Sequence, residues 1–235
     1  MEILGVIPAR YGSTRFPGKV LADICGKPMV IRVLEGISTA KKISRVLVAT
    51  ESQIVKKAVE ASGWEAILTS EECKSGTERV GEVAKKIKAD AYINIQADEP
   101  LIKGEAIDLI ASALEDGEDF VSLYTSLREE EKDDPNKVKI VLNRQDYAIY
   151  FSRVPVPYRG PFFKHVGIYG YSRDGLFKYL ELPPSPLELS EDLEQLRLIF
   201  HGEKIKMIKW DGKLVSVDTM EDLKLAKEVF CAEEN

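Results

Sequence analysis

The chain offers few groups for soft metals or covalent staples. Three cysteines, Cys25, Cys73 and Cys231, stand far apart with no Cys-x-x-Cys pair, so the sequence predicts neither a disulfide framework nor a zinc centre. Histidine occurs only as His165 and His201, which leaves any metal to oxygen ligands. No run approaches the roughly 18 apolar residues that a membrane-spanning helix needs. No basic segment precedes the first apolar stretch, as a secretory signal would require. The expectation is a cytoplasmic protein without a membrane partner. A net charge of −6 also argues against nucleic acid, because such proteins usually carry a basic face.

What is present is ordinary in bulk and uneven in detail. With 235 residues, 44% hydrophobic and 31% charged, the chain can bury one core, or one core with an appended lobe. Its first half alternates strand-like and helix-like segments. "EILGVIPA" is followed by a helix from Pro28, "RVLVAT" by "SQIVKKAVEASG", "EAILT" by "TERVGEVAKKI", and "AYINIQ" by "GEAIDLIASALEDG" before the strand "FVSLYTS". Near-continuous apolar strands between helices predict an α/β fold, a mostly parallel sheet with helices on both faces.

Beyond Ser126 the pattern changes. "KVKIVLN", "YAIYFSR" and "KHVGIYGYS" read as strands of a smaller antiparallel lobe that exposes Ile149, Phe151, Ile168 and Tyr171. "PLELSEDLEQLRLIFHG" reads as one helix with Leu189, Leu193, Leu196 and Phe200 on a single stripe. The strand "KIKMIKW" and the helix "TMEDLKLAKEVF" close the chain, with Thr219 and Asp222 at capping-box spacing. The expected organisation is therefore residues 1–126 with 203–235 as the α/β domain, and 127–202 as the lobe.

The loop "IPARYGSTRFPGK" concentrates Arg10, Arg15 and Lys19 directly after the first strand. Loops at the carboxyl ends of parallel strands are where such sheets hold ligands. Gly12 and Gly18 admit a close ligand, Ser13 and Thr14 add hydroxyls, and three cations suit a polyphosphate. The spacing is neither a Walker loop nor a dinucleotide fingerprint. A solvated loop with scattered salt bridges is the competing reading. Asp98, in "NIQADEP", either caps a turn before Pro100 or holds a cation, and Asp218, in "SVDTMED", reads first as a helix cap.

These motifs, with "SGTER", "DPNKVKIVL", "YFSRVPVPY", "HVGIYGY", "SPLELSEDLEQLR" and "GEKI" in that order, resemble the cytidylyltransferases that activate acidic sugars. Above all they resemble the CMP-Kdo synthetases (3-deoxy-manno-octulosonate cytidylyltransferases). The resemblance spans nearly the whole chain. It implies CMP transfer from CTP to Kdo, Mg²⁺ on Asp98 and Asp218, and a homodimer. It further implies CTP contacts from Ala9, Arg10, Ser13, Arg15, Lys19, Ser75, Gly76 and Thr77, with Arg10, Lys19, Asp98 and Asp218 catalytic. Gln96, Arg153, His165, Tyr169, Glu194 and Gln195 are expected to address the sugar.

Ala97 replaces a usual glycine, Met220 a usual proline, and the stretch from Pro157 to His165 is short. The rivals are a CMP-sialic acid synthetase, a sugar-1-phosphate nucleotidyltransferase, which would normally carry Gly-x-Gly-Thr-Arg in its first loop, and a non-catalytic nucleotide-binding regulator.

Overall fold

The computed structural model describes residues 1–12 and 16–233. Ser13 and Arg15, both expected at the nucleotide, lie outside the described residues. Two compact units emerge, Met1–Ala111 with Gly212–Asn235, and Ser112–Asp211.

The first unit is built on β1 (Ile3–Pro8), a run buried along almost its whole length. After it come the two-residue strands β2 (Asp23–Ile24) and β3 (Lys27–Pro28), then α1 (Met29–Ile37), which starts behind Pro28. β4 (Arg45–Thr50) leads into α2 (Gln53–Ala61), whose first turn is capped by the Ser52 hydroxyl accepting from the Ile54 and Val55 amides. β5 (Ala66–Leu68), α3 (Gly76–Lys86), β6 (Ala91–Asn94) and α4 (Gly104–Glu115) complete the alternation. β1 pairs in parallel with β4 and with β6, and β4 pairs in parallel with β5. Parallel pairing brings the carboxyl ends of these strands to one edge, so the segments after Pro8, Thr50, Leu68 and Asn94 share that edge.

In the second unit, β7 (Phe120–Leu127) is followed by β8 (Lys139–Leu142), β9 (Ala148–Ser152) and β10 (Phe162–Ser172). Then come α5 (Arg173–Glu181), α6 (Pro186–Glu191), α7 (Leu196–Phe200) and β11 (Lys206–Lys209). β7 runs antiparallel to β10 and parallel to β11, and β8 pairs antiparallel with both β9 and β10. The chain then returns to the first unit as α8 (Met220–Glu233). The expected capping box forms there: the Thr219 hydroxyl accepts from the Asp222 amide, and Asp222 accepts from the Thr219 amide.

Several expectations are corrected. The units divide near 111 and 211 rather than 126 and 202, because β7 and β11 belong with β10 through their ladders. The single helix expected over 186–202 is two short ones, broken where Asp192 turns left-handed at φ 53°. Leu193 and Leu196 are buried as expected, but Leu189 and Phe200 are exposed. Phe151, Ile168 and Tyr171 are buried, leaving only Ile149 of that expected set exposed. Cys25 and Cys231 form a disulfide across 206 positions with Cα atoms 6.2 Å apart. That link overturns the expectation of no disulfide and removes one support for a reducing compartment. Sequence spacing could not announce it, because it depends on α8 packing over β2 through Ile24, Met29, Val217, Leu223 and Ala226. Among the described residues, no helix is long and apolar enough to cross a membrane.

Candidate active site

A cavity of about 280 Å³ opens at the carboxyl edge of the parallel strands. Pro8 and Arg10 reach it from the end of β1, Gln96, Ala97 and Asp98 from the end of β6, and Ser75, Gly76 and Arg79 from the start of α3. Lys19, Val20, Cys73 and Lys74 complete the lining. Three of its cations, Arg10, Lys19 and Lys74, concentrate positive charge at one concave place on an acidic chain. That is the electrostatic signature of an anion site.

Lys19 occupies the centre of the arrangement. Gly18, left-handed at φ 70°, turns the chain into a short 3₁₀ segment that begins with Lys19. The Lys19 ammonium donates to Asp98 Oδ2 at 2.7 Å and to Asp218 Oδ1 at 3.1 Å. Burial alone would lower its pKa, but the charges and hydrogen bonds of the two carboxylates outweigh burial and hold it above 10.5. A permanent cation thus lies between two acids that are remote in sequence. One local bond explains how they meet: the Val217 amide donates to the Asp98 carbonyl at 2.9 Å. The Ser216 hydroxyl reinforces this by donating to Glu99.

Lys19 was expected on phosphates. It is engaged by carboxylates instead, with one of its three protons left for an incoming oxygen. The cap of α8 is Thr219, whose hydroxyl accepts from the Asp222 amide, while Asp222 accepts in return from the Asp218 and Thr219 amides. These bonds hold the Asp222 carboxyl below its ordinary range although burial pulls the other way.

The other nucleotide-side expectations divide. Arg10, Ser75 and Gly76 line the cavity. The Ser75 hydroxyl also caps α3 by accepting from the Glu78 amide at 3.2 Å. Ala9 does not line it: its side chain is fully buried and its amide donates to Ala49 O at 2.8 Å, continuing the β1–β4 ladder. Thr77 is also buried, accepting from Asn94 Nδ2 at 3.4 Å. Gln96, expected at the sugar, lines this same cavity and donates to Asn94 Oδ1 at 3.3 Å.

The remaining sugar-side expectations fall in the second unit. His165 is buried with its Nε2 2.8 Å from the Ser122 hydroxyl, and burial with the nearby Lys164 charge drives its pKa down to about 3. It is therefore a neutral ring. Tyr169 donates to Gln195 Oε1 at 3.2 Å, and buried Gln195 leaves its Nε2 without a partner among the described residues. Glu194 accepts from Tyr179 at 3.4 Å. The Arg153 guanidinium donates to the carbonyls of Pro135, Glu191 and Asp192, so it is engaged by the backbone after β7 and at the end of α6. That weakens its expected role as a free cation for a sugar carboxylate.

Sequence reasoning missed Arg79, Lys74 and Cys73. Arg79 lay in plain view inside the quoted "SGTER". The others carried no signal beyond proximity to the motifs.

A family model described as cytidylyltransferase matches residues 4–205. The chain is 42% identical over 235 residues to a 3-deoxy-manno-octulosonate cytidylyltransferase from Bdellovibrio bacteriovorus, covering 95% of each chain. It is also 42% identical to a mitochondrial 3-deoxy-manno-octulosonate cytidylyltransferase from Arabidopsis thaliana, covering 94% of this chain and 81% of the relative. A solved CMP:2-keto-3-deoxy-manno-octonic acid synthetase complexed with CTP superposes with a TM-score of 0.95 at 39% identity, covering 99% of this chain and 100% of the other.

Proposed function

Because the chain belongs to the 3-deoxy-manno-octulosonate cytidylyltransferase family, we propose that it transfers CMP from CTP to the anomeric hydroxyl of Kdo, releasing pyrophosphate. The observation that carries this reading is the meeting of Asp98, Asp218 and Lys19 at one end of a cation-lined cavity. A nucleoside triphosphate presents several negative charges to such a place, and Arg10 and Lys74 are available to neutralise them. The anomeric oxygen attacks the α-phosphorus in line, and the bond to the β-phosphate oxygen breaks. Positioning and charge neutralisation supply most of the acceleration in such a transfer. Arg10 and the remaining Lys19 proton would stabilise charge on the departing pyrophosphate.

The donor set fits Mg²⁺. Two carboxylates already converge on a cationic group, and this hard ion favours one or two carboxylates with phosphate and water oxygens. Asp98 and Asp218 would hold it. When bound it would polarise phosphoryl oxygen and lower the pKa of an attacking hydroxyl. Kdo recognition by Tyr169, Glu194 and Gln195, pairing of two copies, a cytoplasmic location and service to lipopolysaccharide assembly belong to the same proposal.

Pyrophosphate release, measured from CTP with Kdo and with sialic acid, each with and without Mg²⁺, tests it. Release with Kdo and Mg²⁺ alone is expected, and Asp98→Asn should lose at least about 100-fold in turnover with an unchanged melting temperature. Equal use of sialic acid would overturn the acceptor, and near-normal turnover in Asp98→Asn would overturn the metal role.

A further inference from the structure

We infer that Glu51 is a positioning residue that sets the two described loop cations, Arg10 and Lys19, against the cavity; this rests on the reading that the cavity takes the phosphates of CTP. Glu51 follows the last residue of β4, on the edge where the cavity opens. Its side chain is only 16% exposed. Neither neighbour needs its carboxylate: the Ser52 hydroxyl caps α2, and the Thr50 hydroxyl accepts from the Ser52 amide. The carboxylate turns instead to the cationic loop.

Glu51 Oε1 accepts from the Tyr11 amide at 2.7 Å. The carbonyl of Tyr11 accepts from the Gly18 amide at 3.1 Å. Tyr11 is thus held on both sides, and the loop is closed at its base between Tyr11 and Gly18. Arg10 lies immediately before this closure and Lys19 immediately after it. Both line the cavity.

The other carboxylate oxygen is buried and lies 3.2 Å from Arg79 Nη2, an ionic contact without hydrogen-bond alignment. Arg79, 4% exposed, also donates to the Ser70 carbonyl at 3.3 Å and to the Thr69 hydroxyl. Glu51 therefore joins the cationic loop to the segment that carries Ser75 and Gly76. Its carboxylate acts through the Tyr11 amide.

Steady-state kinetics with each substrate varied in turn, beside CTP titration calorimetry and melting curves, separate positioning from mere support. Glu51→Ala should raise the KM and Kd for CTP about tenfold, the scale of one lost hydrogen bond to a carboxylate, with the KM for Kdo unchanged. Glu51→Gln keeps an acceptor for the Tyr11 amide and should restore most of that loss. Glu51→Asp keeps the charge but is one methylene short of Tyr11, so it should resemble Glu51→Ala even if the latter does not fold. Unchanged CTP binding in Glu51→Asp, or a fall in kcat alone that tracks the folded fraction, would overturn the proposal. A wild-type protein that fails to bind CTP would overturn the underlying reading instead, and the inference with it.

Discussion

His165 shows how far a single side chain can depart from its apparent role. It alternates with apolar neighbours in β10, and its sequence context resembles a sugar contact. In the fold it lies 5.0 Å from the Phe151 ring and 5.3 Å from Tyr169, centroid to centroid. The Ser122 hydroxyl oxygen lies 2.8 Å from the Ile168 carbonyl; its one proton, given there, leaves His165 Nε2 to donate to the hydroxyl oxygen. Its folded pKa of about 3 lies below the ordinary 6.5, so the unfolded chain binds more protons between those values. Stability contributed by the neutral ring is complete above pH 6.5 and is lost as pH falls toward 3. Melting temperatures from pH 7.5 to 4.5 should fall more steeply in the wild type than in His165→Gln. Parallel slopes would contradict the sealed, neutral ring. Residues of this kind were legible as chemistry but not as environment. Glu51 was legible as neither, because an acid between a strand and a capping serine looks like any surface charge.

Among the elements, α1 joins a legible start to an illegible constraint. Its apolar periodicity and leading proline announce the helix. Nothing in the letters says that Gly36 faces the Ile102 carbonyl so closely that a Cβ would overlap it. Helix propensity alone predicts that Gly36→Ala stabilises by roughly 1 kcal/mol. The packing predicts the reverse, a loss of about 1–3 kcal/mol from forced backbone movement, and urea denaturation decides between the two signs. The same division runs through the other elements. Long strands and helices with clear periods were readable, as was the Thr219–Asp222 cap. The β2–β3 hairpin was not, since two-residue strands have no period; its turn rests on positive φ at Cys25 and Gly26, the geometry of a tight hairpin. α5 was missed because Gly175 sits inside it, where a larger residue would meet the Asp119 carbonyl. The break at Asp192 is a backbone choice that an otherwise helical stretch does not reveal.

Across the whole molecule, the legible part of the site was its inventory, and the hidden part was its connectivity. Arg10, Lys19, Asp98 and Asp218 were each named from motifs, yet only a parallel sheet and the Val217–Asp98 bond bring them together. The disulfide is the extreme case of connectivity without a local sign. It fastens the β2–β3 turn, six residues beyond Lys19, to the helix that follows Asp218. Closing so long a loop should contribute roughly 2–5 kcal/mol by restricting the unfolded chain. At 2–4 °C per kcal/mol, a reductant or Cys231→Ala should lower the melting temperature by roughly 4–20 °C, and each should mask the other. Melting that ignores reductant would show that the bond contributes nothing.

That cross-link also changes what the polypeptide is as a covalent object. Residues 25–231 are a covalent ring, not a line. A motor that seizes the chain outside that ring and pulls it through a narrow pore meets a doubled strand there, unless the bond is first reduced.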